Sequence, residues 1–285
     1  MTDMAARIAV LLDTDVTKVH PLGVGSSGSG AVLTRVTLAD GQDVVAKSAE
    51  AEFSGLTLEA WMLETLASHG LPVPAVHHAE DRLLVMDYVP SNGGLDTKAQ
   101  ENAADAVAAL HDVTGECFGL DRDTVIGPLP QPNPQAEDWR VFFAEHRLRR
   151  FARKARDEGR LSAKTAASID RVADRVDKLI PAGSVPSLIH GDLWGGNVMV
   201  GADGRCRFID PAIYYADAEV ELAYSTLSGT FGDAFFGRYR EHRPIAPGFF
   251  EERRDLYNLY PLLVHTRLFG GHYAQSVERI AARFA

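Results

Sequence analysis

The chain has 285 residues, a formal net charge of −10 and 46% hydrophobic residues. That length and hydrophobic content suit one large domain or two lobes sharing a core. The acidic balance argues against an extended nucleic-acid surface, and no apolar run approaches the roughly 18 residues of a membrane span.

The N-terminal stretch sets Asp3, Arg7 and Asp13 around a short apolar run. It lacks the basic start and small-residue cleavage site of a secretory signal. Cys117 and Cys206 show no metal or redox spacing, so a reduced, cytoplasmic protein is expected. Residues 19–49 read as strands. The alternating, β-branched run 31–38 meets the hairpin signal Asp40-Gly41, and Val44-Val45-Ala46-Lys47 returns as a second strand. A helix is expected over 56–69, closed by Gly70 with Pro72 beyond. Residues 83–89 have a buried-strand pattern ended by Pro90. Residues 1–90 thus read as a β-rich lobe holding one helix.

From residue 97 the period changes. Residues 103–111 are Ala-rich and helical. Residues 117–135 contain Gly127, Pro128, Pro130, Pro132 and Pro134 and read as a loop. Residues 137–156 and 163–179 have amphipathic helical patterns. Trp139 and Phe143, four apart on the first of these, read as core. Arg147, Arg149, Arg150, Arg153, Lys154 and Arg156 read as its solvated face, with a site for an anionic ligand as the alternative. A short strand over 187–190 leads into a loop. Residues 197–200 and 205–210 then form a hairpin across Ala202-Asp203-Gly204, and the remainder is mostly helical. The order gives an α+β fold of two lobes, divided into 1–90 and a larger, mainly helical 91–285.

Three clusters carry chemistry. Gly23-Val24-Gly25-Ser26-Ser27-Gly28 fits G-x-G-x-x-G. A dinucleotide fold requires a helix after these glycines, whereas a strand and hairpin follow, as around the phosphate loop of a kinase. No Lys-Ser or Lys-Thr follows, which excludes a Walker-type loop. On this reading Gly25, Ser26 and Gly28 lie against the phosphates. Lys47, on the strand after the hairpin, is placed to reach the α- and β-phosphates, although a strand-end lysine commonly just reaches solvent. Its expected partner is Glu59 on the next helix, with Glu52 and Glu64 as competitors. The loop His190-Gly191-Asp192-Leu193-Trp194-Gly195-Gly196-Asn197, followed by Asp210 on a strand end, supplies the third cluster. Phosphoryl transfer needs a carboxylate to orient and deprotonate the acceptor hydroxyl, here Asp192. It also needs oxygen ligands for Mg²⁺, here Asn197 and Asp210. His190 is expected to support the loop, since Asp192 already provides a base. A Ser187–His190–Asp192 triad is excluded by the lack of a G-x-S-x-G elbow.

The loop sequence, with Trp194 inside it, resembles the fructosamine kinase (ketosamine-3-kinase) family of the protein-kinase-like superfamily, near the aminoglycoside phosphotransferases. Glu137-Asp138-Trp139, Asp210-Pro211-Ala212-Ile213-Tyr214-Tyr215, Glu219-Val220-Glu221-Leu222-Ala223 and Leu268-Phe269-Gly270-Gly271-His272-Tyr273 share the resemblance, which spans nearly the whole chain. It implies a bilobal protein-kinase-like fold and transfer of the ATP γ-phosphoryl group to the 3-hydroxyl of a ketosamine, free or protein-bound. The unstable product would release the amine. Asp87, Tyr88 and Val89 would form the hinge strand against adenine, with Met86 behind the pocket. Trp194, Tyr214 and Tyr215 are candidates to flank the acceptor. Gly191 stands where protein kinases carry arginine, Asp210-Pro211-Ala212 replaces Asp-Phe-Gly, and no Ala-Pro-Glu follows. These departures suit small acceptors. A kinase of an aminoglycoside, choline or homoserine, and a nucleotide-binding scaffold without catalysis, are the competing readings.

Overall fold

The computed structural model describes residues 3–25, 30–50 and 55–285. Helix α1 (Asp3–Leu11) precedes β1 (Val16–Val24), β2 (Val32–Leu38) and β3 (Asp43–Ser48). Helix α2 (Leu56–Ser68) follows, then β4 (Val76–Glu80) and β5 (Leu83–Asp87). The strands form one antiparallel sheet in the order β1-β2-β3-β5-β4. Alternation along β3 decides what each face holds. Val44 and Ala46 pack with Ile8 of α1 and with Val36 and Val85. Val45 faces the other side, with Leu56, Ala60 and Leu63 of α2 and with Leu84 and Met86. Lys47 shares that second face by the same alternation. The lobe therefore holds two helices, where the sequence suggests one. Nine residues make a marginal helix alone, and α1 is fixed by the apolar sheet face that it covers. Strand β4 is also absent from the sequence reading. Its His77-His78 pair lacks a β-branched run, and it lies at the sheet edge.

The helical lobe begins with α3 (Thr97–His111), capped by the Asp96 carboxylate, which accepts from the Ala99 N–H at 2.9 Å. Short strands β6 (Thr124–Ile126) and β7 (Leu129–Gln131) pair inside the proline-rich segment read as loop. Thr124, Gln131 and Asn133 are buried there and bond one another, so tertiary context overrides the prolines. Helix α4 (Trp139–Phe142) runs through a π-helical stretch, Phe143–Arg149, into α5 (Arg150–Asp157). The expected helix over 163–179 is two, α6 (Ala163–Ala173) and α7 (Val176–Leu179). Then come β8 (Ser187–Ile189), a 3₁₀ turn at Gly195–Asn197, and the hairpin β9 (Val198–Val200) and β10 (Cys206–Phe208). Strand β11 (Tyr214–Ala216) and helices α8 (Ala218–Ser225) and α9 (Asp233–His242) follow. A second π-helical stretch, Phe249–Arg253, leads into α10 (Arg254–Phe269), and α11 (His272–Phe284) ends the chain. Among the described residues no helix is long and apolar enough to cross a membrane.

The basic cluster is not one solvated face, because Arg147 is fully buried. It continues the i,i+4 ladder Trp139, Phe143, Arg147, Phe151 and Ala155, all on the core side. Its guanidinium donates to the Pro132 carbonyl at 2.8 Å and to Asn133 Oδ1 at 2.6 Å, and stacks 4.0 Å over the Tyr214 ring. Tyr214 is thereby sealed in the core, so it cannot flank an acceptor. Tyr215 is also misplaced by the sequence reading. It pairs through its backbone with Gly119, and its ring lies against Gly115, where an added Cβ would come within 2.9 Å.

Candidate active site

The antiparallel pair β8 and β11 sets Ile189 opposite Tyr214, so the loop leaving β8 lies beside the segment that enters β11. The β9–β10 hairpin fills the interval and returns the chain at Asp210. His190 ties the two stretches together. Its Nε2 donates to the Ile209 carbonyl at 3.1 Å, and its Nδ1 accepts from the Asp192 N–H at 3.3 Å. One donor and one acceptor describe a neutral imidazole. Burial pushes the His190 pKa down, in keeping with that state. Glu221 of α8 holds the same turn from below. It accepts from the His190 N–H at 3.1 Å and the Gly191 N–H at 2.6 Å, and faces His111 Nε2 at 3.0 Å. Burial alone would raise the Glu221 pKa. These bonds, His111 first, outweigh burial and keep the carboxylate ionised.

Gly191 explains why no arginine can stand at its position. Its φ is +84°, and a Cβ there would lie 2.0 Å from the Ala212 carbonyl oxygen, itself held by the loop through the Ala212 N–H and the His190 carbonyl. Gly191→Ala should destabilise the protein by about 2 kcal/mol or more and impair activity, because backbone must move. Urea unfolding checks this, and an unchanged midpoint would contradict the packing described. Gly196 has a different reason for lacking a side chain: its Cβ would come 2.3 Å from the Trp194 ring, which folds over it.

Asp192 is buried, and each of its oxygens has a partner. Tyr224 OH donates to Oδ1 at 2.5 Å, and Asn197 Nδ2 donates to Oδ2 at 2.8 Å. Burial raises the carboxyl to about 7, against the pull of those two bonds. Asn197 Nδ2 also donates to the Asp192 carbonyl at 2.9 Å, which fixes the amide so that its oxygen points elsewhere. Asp210 takes a left-handed backbone, φ +51°, uncommon outside glycine and a mark of functional sites. Its Oδ1 accepts from Lys47 Nζ at 2.7 Å. Lys47 also donates to Glu59 Oε1 and Oε2 at 2.9 and 2.8 Å. Burial opposes the ammonium, but Glu59 and then Asp210 outweigh it and raise the Lys47 pKa. Burial pushes Glu59 up to about 7 despite the lysine. We take the pair as ionised, since the ammonium contacts both Glu59 oxygens and Asp210 adds a second anion. Among the competitors Glu64 is exposed on α2, and Glu52 lies outside the described residues.

Of the phosphate-loop candidates, Gly25 is described and its N–H bonds the Ala31 carbonyl at 2.9 Å, while Ser26 and Gly28 lie outside the described residues. At the expected hinge, the Tyr88 N–H is taken by the Asp43 carbonyl, and the Tyr88 ring stacks under Arg35. Met86 packs in the α2-side core. The Asp87 carboxylate accepts from the Ala75 N–H and meets His77, so it braces β4 against the end of β5. A cavity of about 1080 Å³ opens beside Asp192, Trp194 and Tyr224 and runs between α10 and α11. Leu268, Phe269, His272 and Tyr273 of that wall lie in a stretch that shares the family resemblance, whereas Tyr224, one residue past another such stretch, is not a candidate in the sequence reading. Asn258 and His265 add polar positions to that wall from α10.

An oxygen-rich pair, Asn197 and Asp210, beside a buried lysine–glutamate pair and a loop carboxylate, across a β-lobe and a helical lobe, defines a protein-kinase-like chain. An aminoglycoside phosphotransferase solved with gentamicin shares this fold alone, at TM-score 0.66 and 12% identity over 100% of this chain and 97% of that one. The fructosamine kinase family profile matches residues 4–284, and the chain belongs to that family. A solved structure from Thermobifida fusca, described as a candidate fructosamine-3-kinase, is 35% identical with TM-score 0.89 and 99% coverage of both chains. A relative from Synechocystis, named a probable ketoamine kinase, is 41% identical over 175 residues. That stretch is 61% of this chain and 58% of the relative, less than two thirds of its length.

Proposed function

We propose that the protein phosphorylates the 3-hydroxyl of a ketosamine with ATP and Mg²⁺. The observation that carries this reading is the buried Asp192 carboxylate, which lines the cavity and is bonded by Asn197, with Asp210 following on the next strand end. Residues 1–90 would hold the nucleotide and 91–285 the acceptor. Asp192 Oδ1 takes the proton of the acceptor hydroxyl as that oxygen bonds to the γ-phosphorus, and the bond from phosphorus to the ADP oxygen breaks. Lys47 neutralises charge on the α- and β-phosphates, and Glu59 holds its ammonium in place.

Asn197 Oδ1 and Asp210 Oδ2 fit a hard divalent cation. Among the described residues Asn197 bonds through Nδ2, which leaves Oδ1 to a ligand, and Lys47 takes Asp210 Oδ1, not Oδ2. Such a cation supplies Lewis-acid neutralisation of the phosphate oxygens. Trp194 offers an aromatic face to the sugar at the cavity wall. Release of the amine from the unstable 3-phosphate, a deglycation repair, belongs to the same proposal.

Incubation with ATP, Mg²⁺ and a fructosamine or ribulosamine should give ADP and the sugar 3-phosphate, read by phosphorus NMR. Turnover of choline, homoserine or an aminoglycoside, with none on either ketosamine, would replace this reading.

A further inference from the structure

The acceptor cavity is graded along its length. Its reacting end is marked by Tyr224, bonded to Asp192, and by His265, whose ring meets the Tyr224 ring edge-on. His265 stacks on Tyr273 with centroids 4.9 Å apart, so this end is aromatic. Burial lowers the His265 pKa, which keeps the wall uncharged. Helix α10 contributes Arg254, Asn258, Leu262 and His265 to the cavity, one face at i,i+4 and i,i+3 spacing. Helix α11 contributes Tyr273, Ser276, Arg279 and Arg283 in the same manner. The two helices pack together, and both stripes end in arginine. From Tyr273 to Arg279 the rise is about 9 Å, and from His265 back to Arg254 about 16 Å.

The charge at that end is not balanced. Arg254, Arg279 and Arg283 line it, and Asp255 is the carboxylate beside them. Asp255 is already shared: Oδ1 accepts from Arg254 at 3.0 Å and Oδ2 from Arg283 at 2.8 Å. Arg279 is exposed and makes no ion pair among the described residues. Arg283 also donates to the Glu251 carbonyl at 2.6 Å, but among the residues that line the cavity three guanidinium groups against one carboxylate leave this end net positive in a chain whose net charge is −10. A ketosamine bound with its hydroxyl at Asp192 sends its amine substituent away from the base, along this gradient.

Resting on the ketosamine reading, we infer that Arg279, backed by Arg254 and Arg283, binds a carboxylate on the amine substituent. The preferred acceptors are then ketosamines of low-mass amino acids, not of uncharged amines. A planar guanidinium suits a carboxylate through paired N–H donors.

The test compares the fructose adducts of 4-aminobutyrate and of butylamine, which differ in a terminal carboxylate. The wild type should favour the carboxylate adduct about tenfold in kcat/KM, and Arg279→Gln should bring that ratio near unity. Because the readout is a ratio within one protein, a partly misfolded variant does not mimic the result. A wild-type ratio near unity, or a ratio unchanged in Arg279→Gln, overturns the subsite and leaves the ketosamine reading standing. If the 6-phosphate of the butylamine adduct is preferred to the carboxylate adduct, the anion belongs to the sugar and the proposal fails. If the wild type phosphorylates none of these adducts, the ketosamine reading falls and the subsite with it.

Discussion

Asp192→Asn should lower kcat about a thousandfold or more while ATP binding is nearly retained. The substitution keeps the shape of the side chain and removes its capacity to take a proton. The fold should tolerate it. The new amide can turn its nitrogen toward Tyr224, whose hydroxyl then rotates to accept, and its oxygen toward Asn197 Nδ2. Neutralising a buried carboxylate also removes a desolvation cost, so thermal stability should be kept or gained. Single-turnover phosphorylation and nucleotide titration separate the two effects, and unchanged turnover would remove Asp192 from its role as base. In the wild type the base must be ionised, so the rate falls as pH drops through the Asp192 pKa. Burial places that carboxyl at about 7, and a cation bound at Asn197 and Asp210 would move it down, so the acid limb is expected at or below about pH 7.

Lys47→Met should cost both activity and stability, with a pH signature that distinguishes the two. The variant leaves Glu59 and Asp210 facing each other without the ammonium that contacts both. Removing one partner of a buried ion pair costs about 3–5 kcal/mol when the other stays charged. Glu59 can escape part of that cost by taking a proton. Burial already raises it to about 7 with the lysine present, and loss of the lysine raises it further. Unfolded, it titrates near 4.5. The folded variant therefore binds that proton more tightly than the unfolded chain. Its stability is greatest below the unfolded value and falls as pH rises through the folded one. Thermal unfolding of variant and wild type at about pH 5.5 and about pH 8.5 should show the deficit growing with pH. The loss of kcat/KM should persist at the lower pH, where stability is largely restored. If activity recovers in step with stability, Lys47 is a structural cation and has no direct part in transition-state stabilisation.

Much of the proposed nucleotide side of the site is legible in the chain itself. The strand pattern around Val44–Lys47, the turn at Asp40-Gly41 and the β9–β10 hairpin are local, and periodicity encodes them. The Asp192, Asn197 and Asp210 set lies on one short stretch, so its spacing survives in the sequence. The proposed acceptor side is much less legible. Tyr224, Asn258, His265 and Arg279 come from three helices, α8, α10 and α11, and nothing in their local pattern separates a cavity wall from an ordinary helix face. Tyr214 and Tyr215 fail as acceptor candidates for the converse reason. They follow Asp210 closely in sequence, but alternation on β11 sends one ring into the core against Arg147 and the other against Gly115. Arg147 illustrates a periodic signal hidden by composition, since it sits on the core side of a ladder whose neighbouring residues are largely basic.

By itself, then, the sequence determined the kinds of groups present and their local scaffolds: a lysine-bearing strand, a carboxylate–amide loop and a strand-end aspartate. Only the tertiary structure decided which glutamate meets Lys47. It also seated Lys47 on Asp210, 163 positions away, and excluded a side chain at Gly191. The division follows from the range of the forces involved. Backbone periodicity fixes the face a residue presents to its neighbours in the chain. What waits across that face is set by packing among elements remote in sequence, and only the folded chain brings those together.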